Sequence, residues 1–460
     1  MKKKAISMLL SCVMAAGLLA GCGGGSTSSS AESVSGGSAD EGPEEVVSDS
    51  YINKDGPYAG TTLKLLVESE TIEGNEGIPA IIKLAEQKLG VKIEIEKRVG
   101  GGDGDNIVKT RLASGDIPDI ISYNSGSKLL ALNPEKYFLD ISDQDFAQTY
   151  DDEFKKSVSV NGKTFGVPAG SAQVGGILYN KKDYEELGLE IPKTWDDFIA
   201  NCQKLKDAGK TAVIGAYGTS WTSQVLFLGD NYNVLAADPT FAEDFEAGKA
   251  KFADVPAATE SFKKYEDLVD FYNKDYLTCK YEEGCDMLAT GKGTHYIMLT
   301  MAVRLLEENY PDQMKNIGFF AIPGDDASSN GATVWYPGVW LINKNTEHKD
   351  ACLALCKLWC SQEGIETYDS KVSPYGPSVI KGISYDNDPN IPDVISKDMQ
   401  KYFDEGHTAP ALEFLTSVKG PNCEQITQEV GSGQTTGEEA AAKYDDDCKK
   451  QALQLGLNWD

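Results

Sequence analysis

The sequence predicts an α/β fold, in which the strands of a parallel sheet alternate along the chain with helices that cover its faces. Three neighbouring segments carry this prediction. A β-branched and apolar run ends at Glu68, a segment with helical spacing follows at 78–90, and a strictly alternating segment occupies 91–97. Strand, helix and strand in direct succession indicate a parallel sheet, because parallel strands need a crossover between them.

Each element of this first block has a local reason. The run 61–68 has the residue types of a short buried strand, and alternation in 91–97 indicates a strand with one buried face. In 78–90 the apolar residues share one side of a helix, and Gly90 is a typical stop signal. The predicted elements are the strand 61–68, the helix 78–90, the strand 91–97, a helix over 106–115 after a glycine-rich turn, and a strand that ends at Asn124.

The rest of the chain continues in the same style. Thr194 followed by Asp197 is a capping-box pattern and predicts the start of an amphipathic helix. The other predicted elements are strands at 176–179, 293–300, 316–324 and 338–345, a strand followed by a loop over 211–221, helices at 302–310 and 348–364, and a mostly helical C-terminal third.

The N-terminus predicts export and membrane attachment. Residues 1–21 have a lysine-rich start and a short apolar run, as in a signal peptide. The following "LAGC" resembles the lipobox of bacterial lipoproteins, in which Cys22 becomes the lipidated N-terminus; ordinary secretory cleavage nearby is the alternative. Residues 22–58 are rich in Gly, Ser and acidic residues and predict a flexible tether.

Charge and cysteine content exclude some classes of protein. The formal charge of −28 argues against nucleic acid, whose phosphates need clustered cations. Eight cysteines remain after Cys22, which permits disulfides, for example between Cys279 and Cys285. The cysteines at 352, 356 and 360 follow His348 at helical spacing, but twelve helical residues span about 18 Å. All four cannot reach one metal ion, so a buried stripe of small residues is expected instead.

Catalytic and cofactor motifs are not apparent. "VGGGDGDN" has neither the spacing of a dinucleotide fingerprint nor that of a calcium loop, and "ATGKGTH" is not a phosphate-binding loop. Only three histidines are present. We therefore predict no cofactor, no metal and no catalytic residues, while a pair of carboxylates for glycan hydrolysis stays open.

Four stretches, in order, resemble the extracellular solute-binding proteins of ABC importers related to maltose-binding protein. They are "LASGDIPDIISYNS", the block from Gly162 to Gly215 with its Tyr-Asn-Lys and Pro-x-Thr-Trp, "LATGKGTHYIM", and "WLINKNTEHKDACLALCKLWCSQEGIETY". The resemblance implies a two-lobe periplasmic-binding-protein fold of type II, with several crossings in its hinge. It implies lobe I at 59–170 plus 335–375 and lobe II at 171–330 plus 390–460.

In such folds ligands lie beyond the carboxyl ends of the strands. Residues just after predicted strands are therefore candidates, with aromatic faces for sugar rings and polar groups for hydroxyls. Trp221 falls near a position where the family stacks an aromatic on sugar. Near 300–302 the chain departs from many sugar binders, because it has Thr300, Met301 and Ala302 instead of an aromatic. The candidate ligand-binding residues are Glu68, Ser69, Tyr123, Asn124, Trp221, Thr300, Trp335 and Tyr336.

The resemblance implies a lipid-anchored, monomeric substrate-binding subunit at the outer face of the cell membrane. It would bind a sugar or oligosaccharide, close on it, and deliver it to the transmembrane subunits of an ABC permease without being an enzyme. A non-sugar solute and a surface glycan-processing enzyme are the alternatives.

Overall fold

The structure is a computed structural model that describes residues 52–72, 75–383, 385, 388 and 391–459. The predicted signal peptide, Cys22 and the tether up to residue 51 lie outside the described residues. The end of the predicted tether is part of the folded protein, because the backbone N–H groups of Asn53 and Tyr58 donate to the carbonyls of Glu86 and Leu89. Amino-acid composition could not predict this, since the hydrogen bonds are made by backbone groups.

The first part of the chain builds most of one sheet and its helices. Its elements are β1 (Thr62–Glu68), α1 (Ser69–Ile72), α2 (Gly77–Leu89), β2 (Lys92–Arg98), α3 (Gly101–Ser114), β3 (Ile120–Tyr123), α4 (Ser127–Ala131), α5 (Pro134–Tyr137), α6 (Asp145–Gln148), α7 (Asp152–Ser157), β4 (Ser159–Val160), β5 (Lys163–Thr164) and β6 (Gly166–Pro168). The predicted strands and the helix that stops at Gly90 are confirmed, and Gly90 takes the left-handed conformation.

The predicted glycine-rich turn before α3 is wrong, because those residues form the first turns of the helix. Gly104 shows why glycine stands there. A Cβ at this position would lie 2.0 Å from the carbonyl oxygen of Val99 and 2.6 Å from Nη1 of Arg98. The helix can therefore approach the end of β2 only without a side chain at this point.

The second part of the chain builds a second sheet. Its elements are β7 (Gln173–Asn180), α8 (Lys181–Leu187), α9 (Trp195–Asp207), β8 (Val213–Ile214), a 3₁₀ turn (Ser220–Gln224), α10 (Val225–Gly229), α11 (Asn231–Ala237), α12 (Phe241–Glu246), α13 (Pro256–Leu268), a 3₁₀ turn (Val269–Phe271), α14 (Tyr281–Thr290), β9 (His295–Leu299), α15 (Met301–Asn309), a 3₁₀ turn (Pro311–Asn316), β10 (Ile317–Phe320) and β11 (Ala332–Trp335). The capping box of Thr194 and Asp197 is confirmed at the start of α9.

The last part of the chain returns to the first sheet and then to the second. Its elements are β12 (Val339–Ile342), α16 (Lys349–Trp359), α17 (Gln362–Asp369), a π-helical segment (Val394–Met399), α18 (Gln400–Asp404), β13 (Thr408–Pro410), α19 (Leu412–Leu415), α20 (Cys423–Gly431) and α21 (Gly437–Gln454). The helix predicted over 348–364 is two helices, because the Ser361 side chain accepts from the N–H of Gly364 and caps a new one.

The two sheets have separate cores. The first has the order β2-β1-β3-β12-β6, with β1, β2 and β3 parallel and β12 antiparallel to β3 and β6. The second has the order β13-β11-β7-β9-β8, and β10 also pairs with β7. We call the first sheet with the elements packed on it lobe I, and the second with its own packed elements lobe II. Because Trp335 ends β11, it belongs to lobe II rather than to the predicted start of the returning lobe I segment.

The eight described cysteines are buried free thiols. The possible bridge between Cys279 and Cys285 is therefore not formed. Cys352, Cys356 and Cys360 lie in the core of lobe I, which confirms the predicted buried stripe. Among the residues that the structure describes, no helix combines the length and the apolar character needed to cross a bilayer.

In the described part of the chain, three crossings join the lobes: β6 to β7, β11 to β12, and α17 to the π-helical segment. They lie side by side. The N–H of Ala169 donates to the carbonyl of Gly338, and the N–H of Ala172 donates to the carbonyl of Pro377. The N–H of Tyr375 donates to Oγ of Ser171. These bonds make the crossings one hinge.

Asp369 lies where α17 packs against this hinge. It borders a cavity of about 30 Å³ together with Ala169, Ser171 and Tyr385, and its Oδ2 has no hydrogen-bond partner among the residues that the structure describes. The pKa of its carboxyl is raised to about 7, mainly because the group is buried. The hydrogen bond with the Tyr385 hydroxyl lowers this pKa, and the nearby Asp388 carboxylate raises it further. The folded state therefore favours the protonated acid.

We expect Asp369 to make the folded protein less stable as the pH rises. Its folded pKa lies above the unfolded value of about 3.9, so the destabilisation sets in between about pH 4 and 7 and is complete above that range. Thermal unfolding at pH 5.5 and pH 8, compared with Asp369→Asn, checks this. The wild type should lose more stability than the variant on going to pH 8; an equal loss in both proteins would contradict the assignment.

Candidate functional site

A large cavity lies between the lobes, next to the hinge. Its volume is about 740 Å³. Both lobes and all three crossings contribute to its wall. The lining residues are Glu68, Thr71, Asn75, Ser122, Tyr123, Asn124, Ala169, Gly170, Ser171, Gln173, Arg304, Trp335, Tyr336, Pro337, Gly338, Tyr368, Val372, Ser373, Pro374, Tyr375, Glu413 and Phe414. A cavity of this size accommodates a ligand of several sugar rings or a similar small molecule.

On the lobe I side, Glu68 is held from behind by Arg98. Nη2 of Arg98 donates to Oε2 of Glu68 at 3.2 Å, and the Arg98 side chain is 2% exposed while that of Glu68 is 30% exposed. Arg98 also donates to the carbonyls of Ser122 and Val99. Its burial and these bonds fix the guanidinium, so the Glu68 carboxylate keeps one position at the cavity wall with part of its surface free.

Tyr123 and Asn124 continue this wall at the end of β3. The Arg98 guanidinium carbon lies 5.9 Å from the centre of the Tyr123 ring. Burial, with the nearby Asp105 carboxylate, raises the pKa of Tyr123 far above its usual range. Its hydroxyl therefore keeps its proton at any physiological pH. Asn124 is exposed at the cavity and offers an amide donor and an acceptor.

On the lobe II side, Trp335 presents an indole at the end of β11. Its Nε1 donates to Oε1 of Glu413 at 2.6 Å, and Nζ of Lys419 donates to Oε2 of the same carboxylate at 2.9 Å. The ring lies directly on Gly175 of β7, where a Cβ would come within 2.6 Å of Cζ3. The close approach requires glycine, and it brings the benzo edge of the indole against β7.

The remaining aromatic side chains of the cavity come from the crossings and from α17 and α19. Tyr336 packs edge-on against Phe414 at 5.7 Å between ring centres. Tyr368 accepts a hydrogen bond from Nδ2 of Asn75 at 2.9 Å. Tyr375 lies within hydrogen-bonding reach of the Arg304 guanidinium, whose Nε donates to Glu308. Aromatic faces and polar groups thus alternate around one cavity.

The structure brings five of the eight predicted site residues to this cavity: Glu68, Tyr123, Asn124, Trp335 and Tyr336. Tyr336 contributes ring surface only, because its hydroxyl is buried and has no partner in the described part of the chain. All five lie at strand ends or in a crossing, as the rule for open α/β sheets requires.

The other three do not line the cavity. Ser69 turns away and its Oγ donates to the carbonyl of Arg98. Thr300 is fully buried, and its Oγ1 accepts from the N–H of Val174 at 2.9 Å, so it cannot touch a ligand here. Trp221 is half-buried and packs against the core of lobe II, with 5.3 Å between the centres of its ring and that of Tyr281. Strand order could not reveal these orientations, because each is set by a contact remote in sequence.

Several cavity residues carry no motif signal. Arg98 could have been found, because parallel pairing of β1 and β2 places it beside Glu68 in register. Arg304 stands one turn into the helix that follows β9, close to the positions where the family's aromatic is missing. Tyr368 lies near the end of α17, beside the hinge. Tyr375 lies in the hinge and Glu413 in the short turn α19, and the sequence of these two segments shows no periodic pattern. Within the described residues, no three His, Cys, Asp or Glu side chains converge as a metal site.

Relatives of the chain are solute-binding proteins. The multiple sugar-binding protein of Streptococcus mutans is 26% identical over 297 residues, which are 62% of this chain and 68% of that protein. The melibiose/raffinose/stachyose-binding protein of Bacillus subtilis is 23% identical over 293 residues, 61% of this chain and 66% of that protein.

Solved structures share the fold. The apo form of RafE from Streptococcus pneumoniae superposes with a TM-score of 0.70 at 20% identity, over 86% of this chain and 99% of that one. An open form of the putative binding protein MsmE from Bacillus subtilis gives a TM-score of 0.71 at 17% identity, over 87% and 99%. The sequence profile of the family described as bacterial extracellular solute-binding protein matches residues 69–363. Because this match covers well over half of the chain, the protein belongs to that family and has its two-lobed type II fold.

Proposed function

We propose that the protein is the substrate-binding subunit of an ABC importer and that its ligand is a sugar or oligosaccharide bound in the cavity between the lobes. One observation carries this proposal. The cavity combines aromatic rings, among them Trp335 and Tyr368, with side chains that accept or donate hydrogen bonds, such as Glu68, Asn124 and Gln173. Rings suit the C–H faces of sugars, and the polar groups suit their hydroxyls. Relatives named for sugar binding support it.

The charges of the cavity favour an uncharged ligand. Its charged lining residues are Glu68, Glu413 and Arg304. Each is already paired: Glu68 with Arg98, Glu413 with Lys419, and Arg304 with Glu308. No charge of the described wall is left to be neutralised by a charged solute, whereas paired carboxylates still accept hydrogen bonds from hydroxyls.

Binding would be coupled to closure of the lobes. The described crossings form a hinge beside the cavity, and Ser127 of lobe I contacts the turn α19 on the other side, so a rotation about the hinge changes the width of the cavity. A ligand that contacts both walls binds the closed form better and shifts the population towards it. We propose lobe I at 59–170 plus the segment after Trp335 to about 375, and lobe II at 171–335 plus 390–460.

The closed form would dock on the transmembrane subunits of the permease, and the protein would act as a monomer without catalysing a reaction. We further propose that a lipid on Cys22 holds it at the outer face of the membrane, with the following tether providing reach. Two or three acyl chains give lasting attachment, whereas one alone is marginal. Attachment would raise the effective concentration of the binder at its permease.

Calorimetric titration with raffinose, melibiose, maltotriose and an amino-acid panel tests the ligand class. We expect a sugar to bind. Trp335→Ala should then weaken affinity about tenfold or more, because a lost aromatic face is worth roughly 0.5–1.5 kcal/mol beyond its buried area. The control is Tyr137→Ala, which removes a half-buried ring of lobe I that does not line the cavity.

Two outcomes would contradict the sugar-binding proposal. Binding of an amino acid or another non-sugar solute, with no sugar bound, would keep the importer role but change the ligand. Turnover of any of these sugars, assayed on the same samples, would replace it with a glycan-processing enzyme.

Fractionation of cells that produce the full-length protein tests the anchor. We expect the wild type in the membrane fraction, released by detergent but not by high salt. Cys22→Ala removes the lipidated sulfur and should leave the protein unprocessed or in the soluble fraction. Membrane retention of a correctly cleaved Cys22→Ala protein would contradict a lipid anchor.

A further inference from the structure

The turn α19 is held by both lobes. It lies between β13 and α20, which both pack in lobe II, and its first residue, Leu412, is buried in the core of lobe II. Its backbone is also fixed from lobe I, because Oγ of Ser127 in α4 donates to the carbonyl of Glu413 at 2.9 Å. Phe414 packs on Gly126, whose added Cβ would lie 2.9 Å from Cα of Phe414.

The side chain of Glu413 reaches back to lobe II. One carboxylate oxygen accepts from the indole of Trp335 at 2.6 Å, and the other accepts from Lys419 at 2.9 Å. The indole N–H is the only hydrogen-bond donor of a tryptophan side chain, so this bond selects one orientation of the ring. Gly175 lies against Cζ3 and Cη2 at the opposite edge of the ring, so the indole is held at both edges while part of it lines the cavity.

We propose that Glu413 is a positioning residue: it fixes the indole plane of Trp335 for stacking on the ligand, and it ties that plane to lobe I through its own backbone. The binding role of Trp335 rests on the proposed function, whereas the positioning of its ring does not. Lys419 supports the arrangement by holding the second carboxylate oxygen. A movement of lobe I that carries Ser127 and Gly126 would therefore also move the group that orients the indole.

The competing explanation is that the Glu413 side chain only fastens α19 to lobe II. In that case its loss would lower thermal stability and leave the ring of Trp335 as it is. A second competitor is direct contact, since Glu413 lines the cavity and its carboxylate could itself accept from a ligand. The experiment must separate these three roles.

The variants are Glu413→Ala, which removes both bonds, and Glu413→Gln, which keeps an oxygen for the indole N–H but loses the charge. Each is made alone and together with Trp335→Phe. Subtracting the fluorescence of the Trp335→Phe partner isolates Trp335 among the six tryptophans. Acrylamide quenching and the emission maximum of this difference are measured without ligand, so the result does not depend on whether a sugar binds.

If Glu413 positions the indole, Glu413→Ala shifts the emission of Trp335 and raises its quenching, while Glu413→Gln stays close to the wild type. An unchanged Trp335 signal in Glu413→Ala, with lowered thermal stability, would overturn the proposal and leave only the fastening role.

Affinity is then measured with raffinose, and with maltotriose in parallel. We expect Glu413→Ala to lose about tenfold in affinity and Glu413→Gln to recover most of it.

In the Trp335→Phe background, Glu413→Ala should have little further effect, because the effects of two residues that act through one contact are not additive. A full loss in that background would show direct contact of Glu413 with the sugar and would also overturn positioning. If neither sugar binds, the proposed function is in doubt, while the fluorescence result still decides the positioning of the ring.

Discussion

In the described part of the chain, three crossings that are hydrogen-bonded side by side join the two lobes and so create the cavity between them. The bonds from Ala169 to Gly338 and from Ala172 to Pro377 join the crossings into one hinge. This hinge allows the lobes to rotate but resists their separation. The strand ends that carry Glu68, Tyr123 and Trp335 all open next to it, which is why residues from distant parts of the chain share one wall.

The carboxylates of the cavity wall are held in place by side chains that do not line the cavity. The buried Arg98 holds Glu68, and Lys419 holds Glu413, which in turn orients Trp335. Each of these two carboxylates is thus fixed by a partner that does not need to touch a ligand. Such fixed groups lose little conformational freedom on binding, so more of the contact energy remains as affinity. The glycines at 104 and 175 serve the same purpose, because they let α3 and the indole approach the backbone closely.

Local patterns predicted most of the elements, including the helix closed by Gly90 and the capping box of Thr194, because periodicity and caps are local properties. The site was predicted only in part. Glu68 and Asn124 follow predicted strands, and that rule placed them at the cavity, whereas Trp335 was a candidate because it precedes the returning strand. Thr300 and Ser69 also follow strands, but their side chains turn inward. The Thr300 hydroxyl accepts a hydrogen bond from the N–H of Val174, and the Ser69 hydroxyl donates one to the carbonyl of Arg98. Glu413 and Tyr375 lie in irregular segments whose positions depend on the packed lobes, so no local pattern could indicate them.

In the proposed function, a sugar closes the two lobes about the hinge. Small-angle X-ray scattering with and without the sugar that binds most tightly measures this closure. We expect a smaller radius of gyration at saturation, with no change when Trp335→Ala is given the same sugar at a concentration that the wild type needs for closure. A radius of gyration that stays the same while calorimetry shows saturated binding would contradict closure as the response to the ligand.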